Sequence, residues 1–353
     1  AKLAKREQEG TLRSLSHFEG FIDFFSNDYL GLSKEKTDGD IKVFGGTGSR
    51  LISGTSKEAL SAERELANFY GAEGALMFNS GYDANLGFFS AVPQRGDHVF
   101  YDEFIHASVR DGIRLGFAKH QSFFHNNVAD LELKLQKSEG TVFVVVEGLY
   151  SMEGDLCPLL KICELCEKYN AHLIVDEAHS GGIYGKQGSG LVSALGLEAK
   201  ICARIVTFGK AYGSHGACVL GSKTLMEFLI NFSRPFIYST ALPPDSYKRN
   251  VQMVKFPLID DRRKALQSIL HYFRSSFDHP GLISERNSPI QIVQIDEVER
   301  IKEMVKHLQE AGIAIKPIYS PTVPKGMERL RICFHSFNTM QEVDELTRII
   351  SCG

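Results

Sequence analysis

The chain has 353 residues, 43% of them hydrophobic and 24% charged, and a formal net charge of -3. A chain of this length can bury a large core. The charge balance provides no basic stripe for nucleic acid and no polybasic membrane patch, and no apolar run is long enough to cross a bilayer. We therefore expect small-molecule partners.

The N-terminal residues and the cysteines indicate the cellular compartment of the protein. Residues 1–10 are polar and lack the apolar core of a signal peptide, so we expect a cytoplasmic protein. The seven cysteines are scattered and odd in number, which is typical of free thiols in a reducing environment. Cys163 and Cys166 lie in a helical pattern with no second pair to complete a zinc site, so we interpret them as core-facing residues.

The first 40 residues predict an N-terminal segment with a helix to about Ser16 and a short strand from Phe21 to Phe25. A large domain follows over residues 41–245. Its strand Gly74 to Phe78 leads into Asn79 to Asn85, where small residues at a strand-to-helix turn leave backbone N–H groups for a phosphate. Taken alone, this stretch fits an ordinary β-to-α turn equally well.

The middle of the chain alternates apolar strands with amphipathic helices. Strands are predicted at His98 to Tyr101, Thr141 to Val146 and His172 to Val175, with a helix at Leu159 to Tyr169 before the last of them. This order is typical of parallel strands joined by right-handed crossovers. We therefore predict an α/β fold with a mostly parallel sheet.

Two of the predicted strands end in ionisable residues. His172 to Val175 leads to Asp176 and His179, and Ala203 to Phe208 leads to Lys210. Because ligands of open α/β sheets bind outside the carboxyl ends of the strands, these side chains are expected to converge. A desolvated lysine there can attack the aldehyde of pyridoxal phosphate, while an aspartate keeps the pyridine nitrogen protonated.

These residues also fit other interpretations. A single Gly-Lys-Ala triplet is more often part of a solvated loop. A ligand site is favoured here because Asp176 and His179 are predicted at the same edge of the sheet. Asp-Glu-Ala-His also occurs in helicases, which require a phosphate loop ending in Gly-Lys-Ser/Thr. Lys186 is followed by Gln187 and Lys210 by Ala211, so neither Gly-Lys pair completes that loop.

The C-terminal part predicts a smaller α+β domain over residues 246–353. Pro243-Pro244 marks the boundary, and a long helical stretch runs from about Asp245 to Phe277. Strands are predicted at Ile290 to Ile295, Ile313 to Ile318 and Arg329 to Phe334, and helices at about 297–311 and 340–350.

The motifs of the chain resemble those of the α-oxoamine synthases, which are fold-type-I pyridoxal-phosphate enzymes that join an amino acid to an acyl-CoA with release of carbon dioxide. They occur in the family's order over nearly the whole chain: SNDYLGL, GTGSRLISGT, NSGYDAN, DEFIHAS, EGLYSMEGD, VDEAHSGG, TFGKAYGSHG, YSTALPP and PTVPKGMERLRI. The resemblance implies a large domain with a mostly parallel seven-stranded sheet between helices, and a smaller C-terminal domain.

The resemblance also implies roles for individual residues. Lys210 would form the Schiff base and act as acid and base, Asp176 would pair with the pyridine nitrogen, His179 would bond the ring 3-oxygen, and His106 would stack on the ring. Further cofactor contacts would come from Ser80, Gly81, Tyr82, Glu147, Ser151 and Thr207. Ser239 and Thr240 would reach the cofactor of the other subunit, which implies a homodimer with shared active sites.

The substrate side is implied in the same way. Arg331 would bind the amino-acid carboxylate, and Asn27, Thr322 and Arg13 would lie near the substrate. The Thr-Leu-Arg13 context and the segment at 321–324 favour the branch that joins alanine to a pimeloyl thioester in biotin synthesis. Members that use glycine or serine, including aminolevulinate-forming ones, stay open, as do a fold-type-I aminotransferase and a catalytically silent binding protein.

Two departures from the family pattern stand out. Ala59 occupies a position where the family commonly has a histidine, so a contact made there is missing. The stretch between SNDYLGL and the Gly-Thr-Gly-Ser-Arg loop is shorter than usual, which puts its usual helix in doubt.

Overall fold

The computed structural model describes residues 6–8, 17–36, 43–295, 297–320 and 322–352. The chain divides into two compact units. The larger comprises Leu30–Tyr150 and Leu156–Asp261; the described part of the smaller comprises residues up to Tyr29, Ser151–Asp155 and the chain from Arg262 onward. No described helix is long and apolar enough to span a membrane.

Twelve strands are described. They are β1 (Ile22–Asp23), β2 (Gly74–Phe78), β3 (His98–Asp102), β4 (Lys119–Phe123), β5 (Val142–Glu147), β6 (His172–Asp176), β7 (Ala203–Thr207), β8 (Ala217–Gly221), β9 (Ile290–Gln294), β10 (Ile313–Ala314), β11 (Lys316–Ile318) and β12 (Arg329–Cys333).

Twelve α-helices are described beyond residue 43. They are α1 (Lys57–Tyr70), α2 (Gly81–Ala91), α3 (Ala107–Leu115), α4 (Val128–Leu135), α5 (Leu159–Lys168), α6 (Leu191–Ala194), α7 (Lys223–Phe232), α8 (Arg234–Tyr238), α9 (Pro244–Val254), α10 (Ile259–Ser276), α11 (Val298–Glu310) and α12 (Met340–Cys352), with short 3-10 turns at Leu32–Lys34, Lys186–Gly188 and Glu198–Lys200.

The larger unit contains a seven-stranded sheet in the order β2-β8-β7-β6-β5-β3-β4. The neighbours from β7 through β6, β5 and β3 to β4 are parallel. β8 runs antiparallel to both β7 and β2 because a short loop, residues 208–216, turns the chain straight back. The predicted mostly parallel seven-stranded sheet is confirmed.

The core lies on both faces of this sheet. All six residues of β5 are buried, and they alternate between two apolar clusters: Phe143 and Val145 belong to one, Val144 and Val146 to the other. This is the pattern of a central parallel strand that is covered on both faces. Cys163 and Cys166 are buried in the second cluster, as predicted.

One strand of the sheet was not predicted. β4 has the sequence Lys-His-Gln-Ser-Phe and lies at the sheet edge, where Lys119, His120 and Gln121 are exposed. An edge strand needs fewer apolar residues than a central one, so the apolar runs that identify the other strands are absent here. Helices α3, α4, α6, α7 and α8 are not predicted either.

The smaller unit contains the antiparallel sheet β11-β12-β9 and the parallel pair β1-β10. Two predicted elements are divided. The strand predicted at Ile313 to Ile318 is β10 and β11, and the helix predicted from Asp245 to Phe277 is α9 and α10. The helical interruption contains Pro257, which lacks an N–H donor and disfavours helical backbone in the preceding residue.

The division into units differs from the predicted domain boundaries. It falls after Asp261 rather than after residue 245, because α9 packs against α1 in the larger unit. Residues 17–29 belong to the smaller unit, since β1 pairs with β10. The N-terminal segment is therefore not a separate body in its described part.

A buried ion pair fixes the chain directly after β6. The carboxylate of Glu177 accepts a 2.6 Å hydrogen bond from Arg204 Nε, and their side chains are 0% and 4% exposed. Glu177 also accepts from Val192 N, while Arg204 donates to the carbonyls of Tyr70 and Ser189. With these hydrogen bonds formed, the ion pair connects β6 and β7 to the loop between β6 and α6.

Arg204→Met is expected to lower the free energy of unfolding by about 3–5 kcal/mol, because it leaves the Glu177 charge buried without its cation. Urea unfolding at fixed protein concentration measures this. Lys200→Met is the matched control: it breaks the exposed Lys200–Glu167 pair, 46% and 50% exposed, at a cost of less than about 1 kcal/mol. Equal costs for the two variants would contradict the assignment.

Candidate active site

A cavity of about 210 Å³ opens in the larger unit at the carboxyl ends of the central strands. This is the edge at which parallel α/β sheets bind ligands. The residues that line it are Ser80, Gly81, Tyr82, Asn85, His106, Ser108, Glu147, Asp176, Ala178, His179, Thr207, Gly209, Lys210, His215 and Gly216.

Asp176 ends β6 and is 4% exposed. Its Oδ2 accepts a 2.8 Å hydrogen bond from Asn85 Nδ2, and its Oδ1 accepts one of 2.9 Å from the Ala178 N–H. The strand register places Glu147 of β5 directly beside it, so two buried carboxyl groups lie at this edge of the sheet. A buried carboxylate requires such donors, and positive charge nearby stabilises it further.

His106 caps the N-terminus of α3. Its Nδ1 lies 2.7 Å from Ser108 Oγ, and the Tyr82 ring meets the imidazole edge to face at 6.4 Å between centroids. Although part of His106 is exposed, desolvation by the surrounding protein lowers its pKa. The charge of Asp176 opposes this and that of Lys210 reinforces it. The ring is therefore neutral at pH 7, and both charges act on it.

Lys210 lies in the loop that reverses the chain between β7 and β8. The Gly213 N–H donates to the Lys210 carbonyl at 2.8 Å. Gly213 has φ of +56°, and a Cβ there would lie 2.1 Å from Ser33 N, so this turn requires glycine. Arg249 donates to the carbonyls of Gly213 and Leu32, and the lysine is thus carried on a loop held at several points.

The N-terminus of α2 provides a position for an anion. The Ser80 hydroxyl is the helix cap: it accepts from Asp83 N at 3.0 Å and donates to the Asp83 carboxylate. The first backbone N–H groups of a helix have no partner within it, and the helix dipole favours negative charge. A Cβ on Gly81 would lie 2.5 Å from Thr207 Cγ2, so glycine is needed where helix and strand end meet.

The chain is similar to known proteins over nearly its whole length. The class I and II aminotransferase family matches residues 19–350. The chain is 36% identical to an 8-amino-7-oxononanoate synthase of Emericella nidulans, over 99% of this chain and 93% of that one. It is 37% identical to one of Cellvibrio japonicus, over 94% and 86%.

The chain belongs to the class I and II aminotransferase family. Within that family it is an α-oxoamine synthase, as its motifs predicted. A solved serine palmitoyltransferase variant from S. paucimobilis, with a bound PLP-myriocin aldimine, has a TM-score of 0.89 at 27% identity, over 99% of this chain and 95% of that one. An 8-amino-7-oxononanoate synthase from Francisella tularensis has a TM-score of 0.80 at 31% identity, over 95% and 98%.

The cavity brings together nine residues that the sequence predicts for the α-oxoamine synthase site. They are Ser80, Gly81, Tyr82, His106, Glu147, Asp176, His179, Thr207 and Lys210. His179, three residues after Asp176, is buried, and Thr207 ends β7 beside the start of α2. Their individual roles stay predictions.

Ser239 and Thr240 do not line this cavity. They follow α8 in the larger unit, where Thr240 bridges to Ser49 and accepts from Asn79 Nδ2 through its carbonyl at 2.8 Å. Thr240 is exposed. Within one chain, the pair therefore lies outside the cavity lining, although Asn79, which bonds Thr240, directly precedes the lining residue Ser80.

The predicted substrate residues that are described lie in the smaller unit. Arg331 donates to Asn27 Oδ1 at 2.9 Å through one Nη and to the Ser151 carbonyl at 2.7 Å through Nε. This brings three predicted residues together around one guanidinium. Thr322 is exposed in the loop between β11 and β12, and Arg13 lies outside the described residues. Ala59 is fully buried in α1.

Two lining residues that contact the predicted ones were given no role by the sequence analysis. Asn85 and Ser108 both lie in quoted motifs, yet nothing in their residue types indicates a site. A signal for Asn85 is its spacing: it follows Gly81 by four residues and so lies on the same face of α2. Ser108 follows His106 by two, where a hydroxyl commonly bonds a helix-capping side chain.

Gly81→Ala is expected to weaken binding of pyridoxal phosphate by at least about tenfold, because the methyl group drives Thr207 out of its rotamer, away from the Ala178 carbonyl that it bonds. Equilibrium dialysis measures the affinity. In the double variant with Thr207→Ser, the colliding methyl is gone and the hydroxyl remains, so most of the affinity should return. An unchanged affinity in the single variant, or no recovery in the double variant, contradicts this packing.

Proposed function

We propose that the chain is a pyridoxal-phosphate-dependent acyltransferase that joins L-alanine to a pimeloyl thioester to give 8-amino-7-oxononanoate. The observation that carries the proposal is the presence of Lys210 and Asp176 in one cavity at the carboxyl ends of adjacent parallel strands. The names of its relatives support the choice of substrates.

The cavity fits the cofactor. The anion position at the start of α2, beside Thr207, would hold the phosphate, and buried Asp176 would face the ring nitrogen. His179 would bond the ring oxygen, and neutral His106, buttressed by Tyr82, would cover the ring. When bound, the cofactor supplies an aldehyde for amines and a ring that withdraws electrons from the amino-acid α-carbon.

The residues of the chain then move and hold protons. Lys210 removes the α-proton of alanine and later returns one. The α-carbon forms a bond to the thioester carbonyl, the carbon–sulfur bond breaks, and the thiol leaves. The carboxylate departs as carbon dioxide and a proton takes its place. The balance is alanine, pimeloyl thioester and one proton in, and aminoketone, thiol and carbon dioxide out.

Arg331 would hold the amino-acid carboxylate. Its guanidinium is a bidentate donor by geometry, and its contacts to Asn27 and to the Ser151 carbonyl orient it from two directions. Asn27 also accepts from the Tyr29 hydroxyl at 3.0 Å, so the amide that meets Arg331 is itself held. Arg13 and Thr322 stay predicted substrate residues.

A second candidate is favoured by a specific observation. Two solved structures with TM-scores of 0.89 and 0.90 are serine palmitoyltransferases, which matches the alternative of serine with a long acyl chain. Glycine with an acetyl group is the third combination in the α-oxoamine synthases. All three share the cofactor residues, so they differ only in amino acid and acyl chain.

The active unit is a homodimer with shared sites. Next to Ser239 and Thr240, the chain exposes large apolar side chains: Phe44, Ile52 and Tyr238 are 83%, 85% and 71% exposed. The Ala241 N–H donates to the Gly48 carbonyl at 2.9 Å, which ties the loop that carries Phe44 and Ile52 to the Ser239–Thr240 segment. Exposed apolar residues grouped in this way are typical of an interface between subunits.

The reaction is tested with a matrix of alanine, glycine and serine against acetyl-, pimeloyl- and palmitoyl-CoA. Alanine with pimeloyl-CoA is expected to give the highest kcat/KM, with one thiol and one carbon dioxide released per aminoketone. Lys210→Ala should lower kcat by about 10²–10⁴-fold. Serine with palmitoyl-CoA as the best pair favours the second candidate, and a keto acid formed without thiol release indicates an aminotransferase.

Shared sites predict complementation between two defective chains. A heterodimer of Lys210→Ala with the double variant Ser239→Ala/Thr240→Ala contains one site with all native residues and one with both defects. Isolated through two different tags, it should show about half the wild-type activity per dimer. Each variant homodimer is the control. Activity no higher than the mean of the two homodimers means that each site lies within one chain.

A further inference from the structure

Asn85 is a buried amide with an unusual set of contacts. It lies one turn into α2, is 2% exposed and lines the cavity. Both of its hydrogen bonds run through Nδ2, at 2.8 Å to Asp176 Oδ2 and at 3.0 Å to Ser108 Oγ. Its Oδ1 is buried and accepts no hydrogen bond from the described residues. A buried amide with one unsatisfied atom costs stability, which points to a functional reason for it.

The direction of these bonds is fixed by chemistry. A carboxylate only accepts, so the atom of Asn85 that faces Asp176 must be the nitrogen. That nitrogen only donates, so Ser108 Oγ accepts its second hydrogen. The Ser108 hydroxyl proton is then left for its other neighbour, His106 Nδ1 at 2.7 Å. The Ser108 N–H also donates to that Nδ1, at 3.2 Å.

His106 therefore receives two hydrogen bonds at Nδ1. A ring nitrogen that accepts cannot carry a proton. The neutral ring must then bear its proton on Nε2. The Ser108 N–H already requires this tautomer, and the Asn85 amide reinforces it by directing the Ser108 hydroxyl proton to the same Nδ1.

We propose that Asn85 is a positioning residue, whose amide holds the Asp176 carboxylate on one side and, on the other, directs the Ser108 hydroxyl proton to Nδ1 of His106, which supports the Nε2–H tautomer. The inference rests on the proposed function, in which Asp176 faces the cofactor ring nitrogen. Asn85 and Ala178 donate to different oxygens of Asp176, which sets the plane of the carboxylate. They also stabilise its negative charge, so that a shared proton stays on the ring nitrogen rather than moving to Asp176.

The test uses holoenzyme loaded with pyridoxal phosphate that is ¹⁵N-labelled at the ring nitrogen and examined by solid-state NMR. Wild type is expected to show a protonated ring nitrogen. In Asn85→Ala, the ratio of protonated to unprotonated ring nitrogen should fall by about tenfold, because the carboxylate loses one charge-assisted hydrogen bond. The kcat should fall at least about tenfold, with the KM for the amino acid changed by less than about threefold.

Two variants separate the inference from general damage. Asn68→Ala makes the same change at an exposed position of α1 and should match wild type in both measurements. Ser108→Ala keeps the bond from Asn85 to Asp176, so its ring nitrogen should stay protonated. A wild-type ring-nitrogen signal in Asn85→Ala, or an equal shift in Ser108→Ala, overturns the proposal.

A measurement without substitutions covers the case in which Asn85→Ala does not fold or retain the cofactor. A neutron structure of deuterated wild-type holoenzyme should show deuterium on His106 Nε2 and none on Nδ1, with the Ser108 hydroxyl pointing at Nδ1. Deuterium on Nδ1, or a Ser108 hydroxyl deuterium that points away from Nδ1, overturns the proposal. If wild type binds no pyridoxal phosphate at all, the proposed function fails; if it binds and turns over while these tests fail, only the role of Asn85 is lost.

Discussion

The structure around the cavity depends on keeping one carboxylate charged inside the protein. Asp176 is almost fully buried, and an isolated charge there would cost more than the fold can supply. Two N–H donors on its two oxygens make the charge tolerable. The next residue, Glu177, is held by a buried arginine. Two neighbouring acidic residues thus lie at the end of β6. Asp176 lines the cavity, where a ligand can reach it, whereas Glu177 is enclosed in its buried ion pair.

Much of the larger unit follows from the sequence because its central strands are buried on both faces. Residues 142–146 and 173–175 form continuous apolar runs, and each run stops where the strand reaches the site. The edge strand β4 is exposed and polar, so local composition does not distinguish it from a loop. The break near Pro257 shows a second limit of prediction from sequence. Helical periodicity is present on both sides of this proline, so the pattern does not reveal the interruption that the proline causes.

The site residues also fall into two groups, those that the local sequence predicts and those that it does not. Asp176 directly follows an apolar run, and His179 and Lys210 lie a few residues beyond predicted strands, which allows residue type and position to predict them. Thr207 was implied by the family resemblance. Asn85 and Ser108 reach the cavity from helices, and their importance arises from a carboxylate and an imidazole that are distant in sequence. Hydrogen-bond direction is a property of three side chains together, so no single motif contains it.

The location of the predicted residues also explains why the reaction class is easier to derive than the substrate. The lysine, the aspartate and the anion position all lie in the larger unit, at strand and helix ends whose geometry the sheet fixes. In the proposed function Arg331 would bind the carboxylate, which alanine, glycine and serine have in common. Discrimination among these amino acids must therefore come from contacts to their side chains, where a methyl group is worth only about 1–3 kcal/mol. Differences of that size are compatible with one fold, which is consistent with a TM-score of 0.89 to a serine palmitoyltransferase and 0.80 to an 8-amino-7-oxononanoate synthase.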